Sequence, residues 1–289
     1  MIPTCVRTWP ECRSDRPGRE WTFHWLEGHP GAVTAPKSLV ARVFTLLGAF
    51  TSERPSANLS ELSRATGLAL STTHRLVSEL VAWRALVRDE HGRYRIGVRL
   101  WELGALSPST LDLRERAMPF LEDLYEVTHQ NVQLAVRDGM EALYVERISA
   151  HDAVSIVTRM GSRLPLHATG VGLVMLAHAA PEVQEQALAG PLKQFTAKTI
   201  ATPSRLREAL AMARRDGFVI SDAQIELITL SVAAPIRGAD DSVVAAVSIV
   251  VPKAGVEPSS LVPVVRTAAR GISRALGAPS AQRSPTRHH

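Results

Sequence analysis

Six hydrogen-bonding side chains other than acids crowd into the second half of residues 59–80, LSELSRATGLALSTTHRLVSEL: Ser71, Thr72, Thr73, His74, Arg75 and Ser78. Hydroxyls donate and accept, an imidazole can do either, and a guanidinium donates in a planar fork. Presented from one short helix, these groups suit the base edges and phosphates of duplex DNA. Just downstream, Arg88, Arg93 and Arg95 flank Glu90-His91-Gly92. Residues 70–99 hold six Arg against three acids. Arginines so placed can neutralise phosphates or enter a narrow minor groove, where negative potential is concentrated.

The elements that must position these groups follow from the surrounding pattern. Two short helices are expected on either side of Gly67, which can take the left-handed conformation at little cost. Ser60 and Ser71 are the expected N-caps, each hydroxyl accepting from a backbone N–H. Leu76, Val77, Leu80 and Val81 form an apolar stripe, which leaves most of the polar positions, Thr73 among them, facing outward. Leu39, Val43, Leu46, Leu47 and Phe50 recur at helical spacing and give a first helix behind the pair. Residues 51–57 read as a loop, and residues 85–89 and 93–96 as two strands of a hairpin. Helix, helix-turn-helix and hairpin in that order describe a winged helix-turn-helix.

Composition narrows the alternatives. A chain of 289 residues with 45% hydrophobic content has room for two domains. No apolar run approaches the roughly 20 residues of a membrane helix and no apolar signal core stands near the start, so a cytoplasmic location is expected. Cys5 and Cys12 cannot staple a core, and two ligands are too few for structural zinc. Neither metal nor cofactor is expected. A net charge of +5 favours a polyanionic partner. Enzyme signatures are missing: there is no Gly-x-Ser-x-Gly elbow and no His-Glu-x-x-His. The run Gly170-Val171-Gly172-Leu173-Val174-Met175 lacks the third glycine of a dinucleotide loop.

Domain boundaries are set by shifts in pattern. Residues 1–35 are expected to be a disordered extension, 36–98 the winged DNA-binding domain, and 99–110 a linker helix that doubles as a dimer contact. Residues 111–278 form a second domain, and 279–289 a disordered tail. Within the second domain, residues 111–128 are helical, with Pro119 expected to kink the helix or mark its start. Residues 131–136 and 143–148 alternate with period two around Asp138-Gly139 and form a hairpin. Residues 154–158 are expected as a third strand, and 160–168 as a loop carrying His167. Helices follow at 169–179, 181–188 and 203–215. Strands return at 218–221, 230–236 and 243–251, and a helix closes at 259–276. The pattern is α+β, an antiparallel sheet with helices packed on it.

Three segments carry a resemblance to a known family: LSELSRATGLALSTTHRLVSEL with GRYRIG, then LPLHATGVGLVMLA, then DGFVISD with LSVAAPIRGADDSVVAAVSIVVP. In this order the chain resembles the IclR-type bacterial transcriptional regulators over residues 37–278. The resemblance implies a GAF-like effector-binding domain, a homodimer or homotetramer, and a near-palindromic operator. It also implies a small metabolite as effector, commonly a carboxylate. By position it assigns the pocket to His167, Gly170, Val171, Asp222, Ser231, Ser248 and Val250. Backbone N–H groups at the start of the 170s helix could hold an anionic oxygen, and buried serine hydroxyls need partners that a ligand can supply. Val250 and Val251 stand where the family often has serine and glycine, Leu173 stands where lysine is common, and Ile228-Thr229-Leu230 replaces a glycine-containing approach. These departures imply a more apolar effector, or a regulator that has lost its ligand. The resemblance thus implies a repressor modulated by a metabolite. A DNA-binding regulator without an effector and a small-molecule enzyme are the alternatives.

Overall fold

The computed structural model describes residues 38–51, 54–106, 108–149 and 154–282. The extension expected at residues 1–35 lies outside them. The chain divides into two compact units after Ile96.

The first unit runs α1 (Leu39–Leu47), β1 (Ser56–Ala57), α2 (Leu59–Thr66), α3 (Leu70–Ala82), β2 (Leu86–Arg88) and β3 (Tyr94–Ile96). Its helices close on a core that includes Leu46, Leu62, Leu76, Val77 and Leu86. The cap of α2 is Asn58, not Ser60. Asn58 Oδ1 accepts from the Glu61 N–H at 2.9 Å, and Glu61 Oε2 accepts from the Asn58 N–H at 2.9 Å. This reciprocal box satisfies two donors at once. The helix ends at Gly67, whose φ of 67° is left-handed. α3 starts from Ala69 without a side-chain cap, so Ser71 lies inside the helix. The strands form an antiparallel sheet in the order β1-β3-β2. β1 falls within the stretch expected as loop, and two residues are too few for a period to show.

The second unit opens with α4 (Val98–Gly104) and α5 (Pro108–Thr128), followed by the hairpin β4 (Asn131–Asp138) and β5 (Glu141–Ile148). Then come β6 (Arg163–Pro165), a 3-10 turn over Leu166–Ala168, α6 (Gly170–Ala177), α7 (Pro181–Ala189) and α8 (Pro203–Asp216). β7 (Val219–Asp222), β8 (Thr229–Arg237), β9 (Val243–Pro252), α9 (Pro258–Ala275) and α10 (Pro279–Gln282) complete it. Six antiparallel strands line up as β6-β5-β4-β9-β8-β7. Alternation divides each central strand between two faces. Val247, Ile249 and Val251 of β9, and Val232 and Ala234 of β8, pack with Leu121, Ala269 and Ile272 of α5 and α9. Ala233 and Ala246 turn the other way, into the core with α6 and α8.

Three expectations need correction. Pro119 lies inside α5 and does not mark its start. Its ring is exposed, so the carbonyl deprived of a donor one turn back can turn to water. Residues 154–158 form no strand; the third strand is β6, inside the expected loop. The 154–158 backbone is held by side chains instead of a ladder. Asn131 Nδ2 donates to the Val154 carbonyl at 2.8 Å, and Arg147 Nη1 to the Thr158 carbonyl at 2.7 Å. The tail expected to be disordered begins with α10, one turn that buries Ala281; residues 283–289 lie outside the described ones.

Candidate functional site

α3 presents two stripes of identical spacing. Thr73, Leu76, Val77 and Leu80 stand at i, i+3, i+4 and i+7 and turn inward, while Ser71, His74, Arg75 and Ser78 repeat that spacing and are all exposed. Thr72 lies between the two, half-buried. Thr73 was expected on the outer face and is fully buried, its Oγ1 donating to the Ala69 carbonyl at 3.1 Å. It belongs to the core. Ser78 Oγ donates to the His74 carbonyl at 2.9 Å and still faces outward.

The wing arginines have separate fates. Arg93 is a strut. Its Nε donates to Ser56 Oγ at 3.0 Å, and its Nη2 to the Ser56 carbonyl and to Glu61 Oε2, each at 2.9 Å. It thereby ties the wing to β1 and to the capping box of α2, so its guanidinium is already engaged within the unit. Register separates the other two. Arg88 faces Tyr94 across the hairpin and Arg95 faces Val87, which puts them on opposite faces. The Arg88 guanidinium carbon lies 5.7 Å from the Tyr94 ring centroid. Arg95 approaches Asp89 only to 3.9 Å and its side chain is 56% exposed, which leaves it open to solvent.

In the second unit a cavity of about 50 Å³ opens between the sheet and α6. The strands supply alternate residues to it. Gln133 pairs directly with Ser248, Ser231 with Val250, and Ser221 with Ser231, and all five line the space. Gly170 and Val171 line it from the first turn of α6. Thr169 caps that helix by accepting from the Gly172 N–H at 3.1 Å. The N–H groups of Gly170 and Val171 precede any intrahelical acceptor, and donors of this kind can bind an anionic oxygen. A Cβ at Gly170 would stand 3.0 Å from Ser231 Oγ, a measure of how closely sheet and helix approach.

Of the residues assigned to this pocket, Gly170, Val171, Ser231, Ser248 and Val250 are brought together; His167 and Asp222 are not. His167 is buried with its Nε2 3.0 Å from the Lys193 carbonyl, and burial holds its pKa below the ordinary imidazole value. Asp222 is bound to Lys198 and Lys253, each at 2.7 Å, and their hydrogen bonds hold its carboxyl below the usual range. The strand period explains the displacement. Asp222 pairs with Leu230, one residue out of phase with the lining pair Ser221 and Ser231.

Sequence reasoning missed several polar groups in the wall. Gln133 is 2% exposed; its amide nitrogen donates to Thr158 Oγ1, and its oxygen accepts from Ser248 Oγ at 3.4 Å. Tyr144 is buried and hydrogen-bonded to Thr169, with burial pushing its phenol well up. Glu226 is raised, chiefly by burial. The inward phase of Gln133, opposite Ser248, was the available signal. Among the described residues, no group of His, Cys, Asp and Glu could hold a metal, and no helix is long and apolar enough to cross a membrane.

Comparison with known proteins decides the family. Residues 106–274 match the family described as bacterial transcriptional regulator IclR C-terminal, and residues 39–90 match the IclR helix-turn-helix domain. The chain belongs to the IclR family of bacterial transcriptional regulators. It is 30% identical to the regulator XynR of Escherichia coli (strain K12), over 83% of this chain and 98% of that one. It is 33% identical to KipR of Bacillus subtilis (strain 168), over 82% and 96%. The repressor AllR of E. coli (strain K12) is also 33% identical, over 77% and 84%. Among solved structures, an IclR homolog from Microbacterium hydrocarbonoxydans complexed with 4-hydroxybenzoate superposes with a TM-score of 0.79 at 39% identity. That match covers 83% of this chain and 99% of that one.

As an IclR-family member the chain is a DNA-binding transcriptional regulator and not an enzyme. Its apolar departures weigh less than expected. Val251 and Leu173 both turn into core, on opposite sides of the sheet. Only Val250 makes the cavity wall more apolar, against the polar Gln133, Thr158 and Thr229.

Proposed function

We propose that this IclR regulator is a cytoplasmic repressor whose hold on its operator is set by a small organic acid in the cavity of the second unit. Ser71, Thr72, His74, Arg75 and Ser78 meet base edges and phosphates in the major groove, and Arg95 and Arg88 meet the backbone from the wing. α4 leaves Val98 60% and Trp101 72% exposed at i and i+3, an apolar face that suits a second copy. Two-fold pairing makes the operator a near-palindrome, and two dimers can join as a tetramer. Nothing in this scheme calls for a metal or a cofactor.

One observation carries the effector assignment. Gly170 and Val171, in the first turn of α6, line the same cavity as Ser231 and Ser248. Such a place suits an anionic oxygen. Its small volume suits a compact acid better than a drug-sized ligand, whose pockets run to roughly 300–1,000 Å³. The structural relative holds 4-hydroxybenzoate, an acid of this kind. A thermal-shift screen of small carboxylic acids tests the assignment, because a ligand that binds only the folded state raises its apparent stability. At least one acid should raise the melting temperature in the wild type and fail to do so in Ser231→Leu. A flat response across the set would leave a regulator without an effector.

A further inference from the structure

The cavity has an acceptor end as well as a donor end. Glu226, on the segment between β7 and β8, lines it together with Val157, and the Val157 backbone N–H donates to the Glu226 carboxyl. That bond uses one of about four lone-pair positions. Among the described residues none of those lining the cavity is Lys, Arg or His. The wall therefore offers the carboxylate no counter-charge, and a half-buried carboxylate without further donors is costly. Near the first turn of α6 the supply is the reverse, N–H groups and hydroxyls that suit an acid.

Resting on the effector reading above, we propose that Glu226 is a specificity residue. It accepts a hydrogen bond from a hydroxyl or amino group at the end of the effector remote from its carboxylate. The ligand class is then a compact acid with a distal donor, not a simple carboxylic acid. A plain acid leaves Glu226 without that partner and adds a second negative charge to the same small space. Both effects select against it.

Titration calorimetry on the full chain tests this with two matched pairs: 4-hydroxybenzoate against benzoate, and 4-hydroxybutyrate against butyrate. In at least one pair the hydroxylated acid should bind the wild type at least about ten-fold more tightly. Glu226→Ala should lose that preference and bind the plain acid more tightly than the wild type does. A residue that only shaped the loop would not produce this second change. Equal affinity within each pair in the wild type overturns the proposal and leaves the acid site standing. Absence of binding by all four acids to a cooperatively melting wild type overturns both. If Glu226→Ala does not fold, the wild-type comparison within each pair still decides.

Discussion

Removing Arg93 should damage the fold of the first unit and spare its grip on DNA, whereas removing Arg95 should do the opposite. Arg93 makes four hydrogen bonds: one to each Glu61 oxygen, at 3.4 and 2.9 Å, and one each to the Ser56 hydroxyl and carbonyl. Bonds to charged groups contribute about 1.5–3 kcal/mol when buried. Here the side chains of Arg93 and Glu61 are 36% and 34% exposed, so solvent screening takes most of that from the ion pair. The bonds to Ser56 and the loosened capping box add to what remains, for a total of about 1–2 kcal/mol for Arg93→Ala. In a domain of roughly 60 residues each kcal/mol moves the midpoint by about 4–8 °C, so the unit should melt about 5–15 °C lower. At a temperature where the variant is folded, its affinity for operator DNA and the salt slope should match the wild type. Arg95→Ala should melt as the wild type does, bind all fragments more weakly, and lower the slope of log K against log salt by about 0.9. Calorimetric melting and fluorescence anisotropy at several salt concentrations read both quantities. An Arg93→Ala protein with wild-type melting and a reduced salt slope would refute the strut.

Three further outcomes follow from local geometry. Gly172→Ala places a Cβ against the Leu166 carbonyl and Cα and Thr169 Oγ1; backbone cannot give way, so the ~1 kcal/mol of helix propensity gained is outweighed by ~1–3 kcal/mol of overpacking. Urea denaturation should show a net loss, and a more stable variant would contradict the packing. Thr73→Val should leave DNA affinity within two-fold or so of wild type, while His74→Ala and Arg75→Ala weaken it; the reverse ranking in gel shifts would turn α3 the other way. Burial holds His167 and His178 below 6.5, so below that pH the unfolded chain binds protons that the folded chain refuses. Stability is therefore kept above about pH 6.5 and lost as pH falls toward the folded values. Urea midpoints should drop between pH 7.5 and 5.5, and His167→Gln with His178→Gln should flatten that drop. An unchanged drop would assign it to other groups.

Much of this architecture is written in periodicities. The two stripes of α3, the alternation of β8 and β9 and the hairpin at Gly139 can all be read from spacing, because burial enforces one phase along each element. The same rule would have corrected two site residues. Thr73 shares the phase of Leu76, Val77 and Leu80, and Ser221, not Asp222, shares the phase of Ser231. Other features cannot be read this way. The apolar run at 154–158 looks like a strand, yet the carbonyls at its two ends are taken by Asn131 and Arg147, and such long-range side-chain bonds leave no local pattern. Arg93 looks like its neighbours in sequence; only the placement of Ser56 and Glu61 makes it structural. Glu226 is an unremarkable acid until the fold sets it in a cavity that no cation lines among the described residues.

The central claim is that occupancy of the cavity changes the hold on DNA. It is tested most directly by anisotropy titration of the wild type on a labelled duplex from its own upstream region, at one fixed salt concentration. The titration is run with and without an acid already found to raise the protein's melting temperature. The account predicts a salt-sensitive affinity that this acid shifts by roughly five-fold or more, and a Ser231→Leu protein that binds DNA equally well without responding. An affinity that stays the same with the cavity saturated would contradict it.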